Sequence, residues 1–472
     1  MRPHLTGRAC LALLAAALLS LGFKACESDG DRASNRNQPP RRDESAPNVN
    51  ANSKGASNEN APMGVGARPD EGPAARPDCG TLSTAGAFVG VTITNTDLAS
   101  LEAAKIRVGE LARHSAAPVV TRIVFDPVKR RSGGDDPNFD QQLRDYKRYA
   151  EGIRQVSCVM GEIGDSHGLY GFLSTGGGTK VGRPPFGLSY AEWTERLTTA
   201  LDPSVDVWEV GNELNGGWTG WKCNESGTRC SFKGKSSGER LDKQREVLKA
   251  TRDAYETIRR LKAQHKIRPD ALTALTLYYN QEEENEEHQC AEYDEARMKP
   301  WLGQAAGILG DEMRNDLDLV LLSFYESDCP DVEPTAENFS KSLAGSVRTA
   351  FGGAHTAFGL GEVGYKGNGC PGEDEERVGK ESKGNEACLK GNSKYITLYY
   401  TKLDRCIRTL LSQPVPGRPA VRYVGGYFYW WYLQDMVLPT SPSANFGRDA
   451  LASAARTFGG TGCDEGAGRP RP

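Results

Sequence analysis

The sequence predicts an α/β fold, a (β/α)8 barrel of the TIM type with long disulfide-stapled loops. Three observations carry this expectation. Eight short β-rich runs recur through the middle of the chain, helical stretches lie between them, and several runs are almost continuously apolar. Continuous apolarity is what strands of a parallel sheet show when both faces are covered. The 472 residues are also enough for one such barrel with loose ends, since the fold uses about 200 to over 400. A doubly wound α/β sheet is the alternative, and no internal repeat is evident.

In chain order the runs are Phe88–Thr94 (FVGVTIT), Val119–Phe125 (VVTRIVF), Val156–Ile163 (VSCVMGEI), Val205–Val210 (VDVWEV), Leu272–Tyr279 (LTALTLYY), Leu317–Tyr325 (LDLVLLSFY), Thr356–Val363 (TAFGLGEV) and Val421–Trp431 (VRYVGGYFYWW). Between the first two, Leu101–Arg113 carries Leu101, Ile106, Val108 and Leu111. Asp140–Gln155 follows the second run, and Tyr190–Leu201 opens after Ser189, a candidate N-cap. Leu241–His265 places Val247, Leu248, Thr251, Ala254, Tyr255, Ile258 and Leu261 at helical spacing, and Asn392–Ser412 precedes the last strand. The stretches Gln281–Trp301 and Lys366–Gly391 read as long, acidic, Cys-bearing loops that shape a cleft.

The ends read differently. Arg2 and Arg8 precede an apolar run from Ala9 to Phe23, the layout of a secretory signal and too short for an ordinary membrane span. Residues 1–25 are therefore expected to be a signal peptide. Residues 26–78 hold almost no large apolar side chains and cannot offset the entropy of ordering, so a flexible tether is expected there. The folded domain is expected over 79–465, with 466–472 a loose tail.

Of twelve cysteines, Cys10 leaves with the signal. The odd remainder suits a lipidated Cys26 plus five disulfides among Cys79, Cys158, Cys223, Cys230, Cys290, Cys329, Cys370, Cys388, Cys406 and Cys463. Cys223 with Cys230, and Cys370 with Cys388, could each staple a local loop, but spacing does not fix the pairing. Phe23-Lys24-Ala25 departs from the usual residues ahead of a lipidated Cys. The protein is thus expected to be secreted or lipid-anchored to a bacterial cell surface, with Cys26 as the membrane attachment.

Composition excludes some partners. With 58 basic and 62 acidic residues the formal charge is -4, which gives no electrostatic case for nucleic acid or an anionic membrane. No CxxC pair and no HExxH helix occurs, and the six histidines are scattered, so no metal and no cofactor is expected. The glycine-rich Ser174–Arg183 lacks phosphate-loop spacing and reads as a loop over the barrel mouth.

In a barrel of this kind chemistry sits at the C-terminal ends of the strands. Walking round those ends gives Arg122 in strand two, Asn212 and Glu213 after strand four, Tyr325 at strand six, Glu362 at strand seven, and Trp430 or Trp431 at strand eight. Two carboxylic acids facing each other across a barrel mouth can flank one glycosidic bond, as hydrolysis with retention requires. A donor protonated near neutral pH needs burial or a neighbouring carboxylate, whereas a nucleophile needs to stay ionised, which an Arg and a Tyr hydroxyl would favour. Trp218, Trp221 and Trp430 suit the apolar face of a pyranose, and Asn215 could bind hydroxyls.

The stretches WEVGNE (Trp208–Glu213), GLGEVGY (Gly359–Tyr365) and YFYWW (Tyr427–Trp431), with looser matches at Thr121–Phe125 and Ser323–Ser327, span the whole expected domain. In these residues the chain resembles the retaining (β/α)8 glycosidases of glycoside hydrolase clan A, the cellulase, mannanase and xylosidase type. The resemblance implies Glu213 as acid/base, Glu362 as nucleophile, Asn212 on the sugar 2-hydroxyl, Arg122 and Tyr325 orienting the nucleophile, and Trp430 as sugar platform. Leu214 stands where many members have Pro, and strand eight offers two adjacent Trp residues, of which one can face the mouth. The implied activity is cleavage of a β-linked glycan by double displacement. Two other readings stay open, a catalytically silent carbohydrate-binding lipoprotein and a transglycosylase using the same two Glu residues.

Overall fold

The computed structural model describes residues 77–94, 96–127, 139–165, 169, 185–215, 221–223, 230–232, 237–279, 281–282, 290–291, 295–325, 335–364, 396–413, 420–430 and 445–463. The signal, the Cys26 site, the body of the tether, Ser174–Arg183, Lys366–Gly391, Trp218, Trp431, Cys329, Cys370 and Cys388 lie outside the described residues.

Eight strands close into an all-parallel barrel: β1 (Phe88–Ile93), β2 (Val119–Val124), β3 (Cys158–Glu162), β4 (Val207–Gly211), β5 (Leu272–Tyr278), β6 (Leu319–Tyr325), β7 (Ala357–Gly364) and β8 (Arg422–Tyr429). Their order round the wall is β1-β8-β7-β6-β5-β4-β3-β2, so each strand pairs with its chain neighbours and β8 closes on β1. The predicted (β/α)8 barrel is the observed fold, and the doubly wound alternative is excluded by this closure.

The helices that cover it are α1 (Leu101–His114), α2 (Phe139–Ile153), α3 (Tyr190–Leu201), α4 (Ser237–Ala263), α5 (Glu295–Asp316), α6 (Ala336–Ser342, continued through Leu343–Val347 and Arg348–Phe351), α7 (Asp404–Ser412, preceded by a π-helical Leu398–Leu403) and α8 (Asn445–Ala455). Ser189 caps α3 in a reciprocal box: its hydroxyl accepts from Glu192 N at 3.2 Å, and Glu192 Oε2 accepts from Ser189 N at 2.8 Å. In α1 the buried residues are Ala104, Val108, Gly109 and Leu111. Ile106 is 58 % exposed, because it sits about half a turn round from Val108.

Helices α5, α6 and α8 are additions to the sequence reading. The expected loop Gln281–Trp301 is a helix from Glu295 onward, and its earlier part holds a two-residue pairing of Gln281–Glu282 with Cys290–Ala291. The acidic residues there had masked the apolar spacing of Trp301, Leu302, Ala305, Leu309 and Met313, all buried. A second hairpin pairs Trp221–Cys223 with Cys230–Phe232 and brings Cys223 opposite Cys230 in register.

Two layers of core follow from strand alternation. Outward residues such as Val89, Val91, Ile123, Val159, Trp208, Leu275, Leu322 and Leu360 pack under the helices. Inward residues Phe88, Val120, Met160, Val207, Leu272, Ala274, Leu319, Leu321, Ala357, Val424 and Phe428 fill the lower barrel. Gly90 makes room for Phe428, whose ring atoms would lie 2.6 Å from a Cβ placed there. Leu82 closes the floor with Cys79, which is bonded to Cys158 at the start of β3.

Two disulfides, Cys79–Cys158 and Cys406–Cys463, are present among the described residues. The first spans 79 residues, and a loop of that size corresponds to about 4.5 kcal/mol of chain entropy removed from the unfolded state. The double variant Cys79→Ala/Cys158→Ala is expected to lose about 2–5 kcal/mol in urea unfolding. A loss under about 0.5 kcal/mol would show that the floor is held by packing alone.

Candidate active site

The inward parity that fills the lower barrel with apolar side chains continues one layer up with polar ones. On β2, Val120 is followed by Arg122; on β3, Met160 by Glu162; on β4, Val207 by Glu209; on β5, Ala274 by Thr276; and on β6, Leu321 by Ser323. A two-residue period thus converts a floor of apolar residues into a ring of charges at the C-terminal half of the barrel. Arg122, Glu162 and Glu209 are each no more than 1 % exposed.

Glu362 joins this ring through a break in the alternation. Along β7, Leu360 pairs with Leu322 but Val363 pairs with Phe324, so three steps on β7 oppose two on β6. One residue is therefore extra, a β-bulge. Without it, the parity of Ala357, Gly359 and Gly361 would send Glu362 outward to the helices. The bulge turns its carboxyl inward instead, and its backbone N–H donates to Ser323 Oγ at 3.0 Å. Gly361 fits there because a Cβ would fall 2.8 Å from Thr276 and 2.9 Å from Ser323.

The Arg122 guanidinium is the hub. Its Nε donates to Glu209 Oε2 at 2.6 Å, its Nη1 to Glu362 Oε1 at 2.5 Å, and its Nη2 lies 2.9 Å from Glu162 Oε2. The Trp430 ring covers the guanidinium with its centroid 5.5 Å from Cζ. Thr276 donates its hydroxyl to the other Glu209 oxygen. Burial pulls the Arg122 pKa down, but the three carboxylates outweigh it and hold the group firmly cationic.

Around Glu362, the Tyr325 hydroxyl donates to Oε2, and Asn212 Nδ2 donates to Oε1 at 3.0 Å and to Asp165 Oδ1 at 3.1 Å. Asp165, past the end of β3, is in turn fixed by a bond from its own N–H to Asp126 Oδ1 at 2.8 Å. Burial pushes the Glu362 carboxyl up to about 7, against the pull of Arg122 and Tyr325 and with a push from Asp165. Arg122 and Tyr325 act in the expected sense; desolvation outweighs them.

Glu213 stands just past β4 and is 6 % exposed. Its φ is 47°, a left-handed conformation that costs a non-glycine residue about 1–2 kcal/mol. Strain of this kind is held in place by its surroundings and gathers at working sites. Burial raises the Glu213 carboxyl well above the ordinary range, and the charges of Glu362 and Asp165 push the same way. Its Oε1 has no hydrogen-bond partner among the described residues. Glu213 and Glu362 therefore feel each other electrostatically, and Glu213 is the better proton holder: the pull of Arg122 and of a bond from Ser323 on it is outweighed by burial and the two carboxylates, while Glu362 alone takes the direct bonds from Arg122 and Tyr325.

Arg122, Asn212, Glu213, Tyr325, Glu362 and Trp430 are thus brought together as expected. Three expectations change. Strand β8 ends at Tyr429, so Trp430 lies in the following turn, its backbone N–H bonded to Val363 O at 3.1 Å. Asn212 spends its amide on Glu362 and Asp165, leaving its Oδ1 buried without a partner among the described residues. Asn215 is occupied by the backbone of Tyr278, donating to O at 2.6 Å and accepting from N at 2.7 Å, which ties the turn after β4 to β5. The side chains of Trp218, Trp221 and Trp431 lie outside the described residues.

Sequence reading missed Glu162, Glu209 and Asp165. A signal for the first two was present: each is an acid in an otherwise apolar strand, at the parity of Arg122. A charge buried that way needs a buried partner.

No protein-family model and no curated protein matches the sequence. Solved structures with a similar fold include the Ignisphaera aggregans GH53 catalytic domain, at 13 % identity over 78 % of this chain and 96 % of that one, with a TM-score of 0.41. A GH113 β-1,4-mannanase matches at 12 % identity over 79 % of this chain and 99 % of its own, with a TM-score of 0.37. A structure of fungal β-1,4-galactanases matches at 15 % identity over 72 % and 89 %, also at 0.37. Likeness of this size carries no statement about activity.

Proposed function

We propose that the chain is a retaining glycoside hydrolase that cleaves a β-linked polysaccharide or oligosaccharide. The observation that carries this reading is the pair Glu213 and Glu362, two buried carboxyls at the ends of β4 and β7 with unequal hold on a proton. Two carboxyls pushed apart in this way divide acid from nucleophile.

In the first step a Glu362 oxygen attacks the anomeric carbon while the bond to the leaving oxygen breaks and Glu213 gives that oxygen its proton. A glycosyl ester on Glu362 results. In the second step water attacks the same carbon, Glu213 takes its proton, and the sugar leaves with its original anomeric configuration. Arg122, Asn212 and Tyr325 hold the Glu362 oxygens in place throughout, and Trp430 offers a ring at the rim. No step calls for a metal or a redox cofactor.

Export belongs to the same reading, supported by the N-terminal charge and apolar pattern and by disulfides that suit an oxidising compartment. Attachment through Cys26 is the form that would tether the enzyme to a cell surface.

The test is hydrolysis of glucan, mannan, xylan and galactan by the chain from Cys79 onward. One glycan cut with retained configuration supports the reading. Tight binding without product makes the chain a carbohydrate-binding protein, and sugar transfer to an acceptor in place of water makes it a transglycosylase. In the same assay Glu213→Ala is expected to lose about 10²–10⁴-fold in kcat, the range for general acid-base groups. Azide, which needs no base, should restore turnover as a glycosyl azide. If azide has no effect, Glu213 does not act as the base of the second step.

The pH profile follows from the same groups. Glu362 attacks as the anion, so kcat/KM should fall as pH drops through about 7. Glu213 acts as the acid, so the alkaline limb should lie higher still. An acid limb with its midpoint below about 5, near the free carboxylate value, counts against Glu362 as the titrating nucleophile.

A further inference from the structure

The upper barrel holds more acid than its one guanidinium can balance. Arg122 faces three carboxyls, Glu162 on β3, Glu209 on β4 and Glu362 on β7, and all three are at most 2 % exposed. One positive charge cannot offset three negative ones in a space closed to water, so protons must be carried inside. Contacts decide where. Glu209 takes the short bond from Nε and the Thr276 hydroxyl on its other oxygen. Glu362 takes Nη1, the Asn212 amide and the Tyr325 hydroxyl. Glu162 takes less: its Oε2 touches Nη2 at 2.9 Å but outside hydrogen-bonding geometry, and neither Glu162 oxygen has a hydrogen-bond partner among the described residues. Three donors stabilise one anion and two stabilise another, while the third is left to desolvation.

We propose that Glu162 is a positioning residue carried as the neutral acid, which braces the third arm of the Arg122 fork and leaves the cation's charge to Glu209 and the nucleophile Glu362. A neutral group in that place holds the guanidinium plane without competing for its charge. An ionised one would draw Arg122 away from Glu362 and weaken the nucleophile's hold on its own cation. The other groups acting on Glu162 point the same way. Asp165, just past the same strand, and the carboxylates of Glu209 and Glu362 all oppose a further negative charge there, as does the burial of the site. The Tyr190 hydroxyl of α3 belongs to the same neighbourhood and donates to Val210 O at 3.2 Å.

The catalytic part of this inference rests on the proposed hydrolase; the protonation part does not. Two experiments separate them. In the full unliganded protein with 13C-carboxyl-labelled Glu, the resonance lost in Glu162→Gln should stay at the protonated position as pH rises through the ordinary carboxyl range. A titration with its midpoint near 4–5 overturns the proposal whether or not any glycan is cut. On the glycan that is cut, Glu162→Leu should lower kcat at least tenfold with KM changed less than threefold, because Arg122 loses its brace. Glu162→Gln, which matches the neutral acid in shape and charge, should recover most of that loss. If Gln is as damaging as Leu in a folded protein, the charge is required and Glu162 works as an anion.

Discussion

Glu362→Gln is expected to lower kcat by about 10⁴-fold or more, roughly 5.4 kcal/mol at 1.36 kcal/mol per tenfold. The reason is chemical and local. In the proposed mechanism the substitution removes the attacking oxygen's charge and basicity while keeping the side chain's volume. Among the contacts, Arg122 and Asn212 donate to Oε1 and the Tyr325 hydroxyl to Oε2. A Gln can satisfy this arrangement with its carbonyl toward Arg122 and its amide toward Tyr325, whose oxygen then accepts. Fold and substrate affinity should therefore survive, and binding of the cleavable glycan to the variant can be measured by calorimetry beside the rate. Activity within tenfold of the parent would place the nucleophile elsewhere on the mouth.

Arg122→Met is the change with the largest expected effect on stability. Methionine fills much of the same volume, but Glu209 and Glu362 lose their common counter-charge inside the barrel. Removing one partner of a buried ion pair costs about 3–5 kcal/mol, roughly 4–6 °C in Tm for a domain of this size at the usual unfolding entropy per residue. The loss should depend on pH in a definite direction. Glu362 already holds its proton up to about pH 7, so without the pull of Arg122 its folded pKa rises further. A carboxyl raised on folding leaves stability intact below its unfolded value, near 4.5, and erodes it as pH rises through the window up to its folded value. The cost is about 1.4 kcal/mol per unit and group. Glu362 holds its proton in both proteins below about pH 7, so its contribution to the Tm gap between Arg122→Met and the parent should be flat below that pH and grow above it. A gap that is constant with pH would mean that the variant fails by packing and not by charge.

Glu162 and Glu209 show where sequence reading stopped short. Each stands in a strand whose outward and inward neighbours are apolar, and the inward parity of Arg122, Glu162 and Glu209 is legible from the alternation alone. What sequence could not show is that three strands aim their charges at one point, because that depends on how the barrel wall closes and on the stagger of its strands. Glu362 is the sharper case. Its place at the end of an apolar run suggested the site, yet strict alternation would have turned it outward. The bulge against β6 reverses that, and a bulge is a property of two paired strands that neither strand carries by itself.

Helices α5, α6 and α8 were missed for a related reason. Their apolar positions are diluted by charges and glycines, so the 3.6-residue period is weak until a barrel wall is there to bury one face. The strands, by contrast, were legible because a parallel sheet buried on both faces demands long apolar runs, and few other structures do.

The sequence by itself determined the barrel, the order of its strands and the two carboxyls at the ends of β4 and β7, since these follow from local pattern along the chain. The tertiary structure alone decided which charges meet. It put three acids on one Arg122, turned Glu362 inward, drew Asn212 onto Glu362 and Asp165, and gave Glu213 the stronger hold on its proton. Proton affinity in a buried site is set by what is nearby in space and by the water that is kept out, and neither quantity is written in the order of residues.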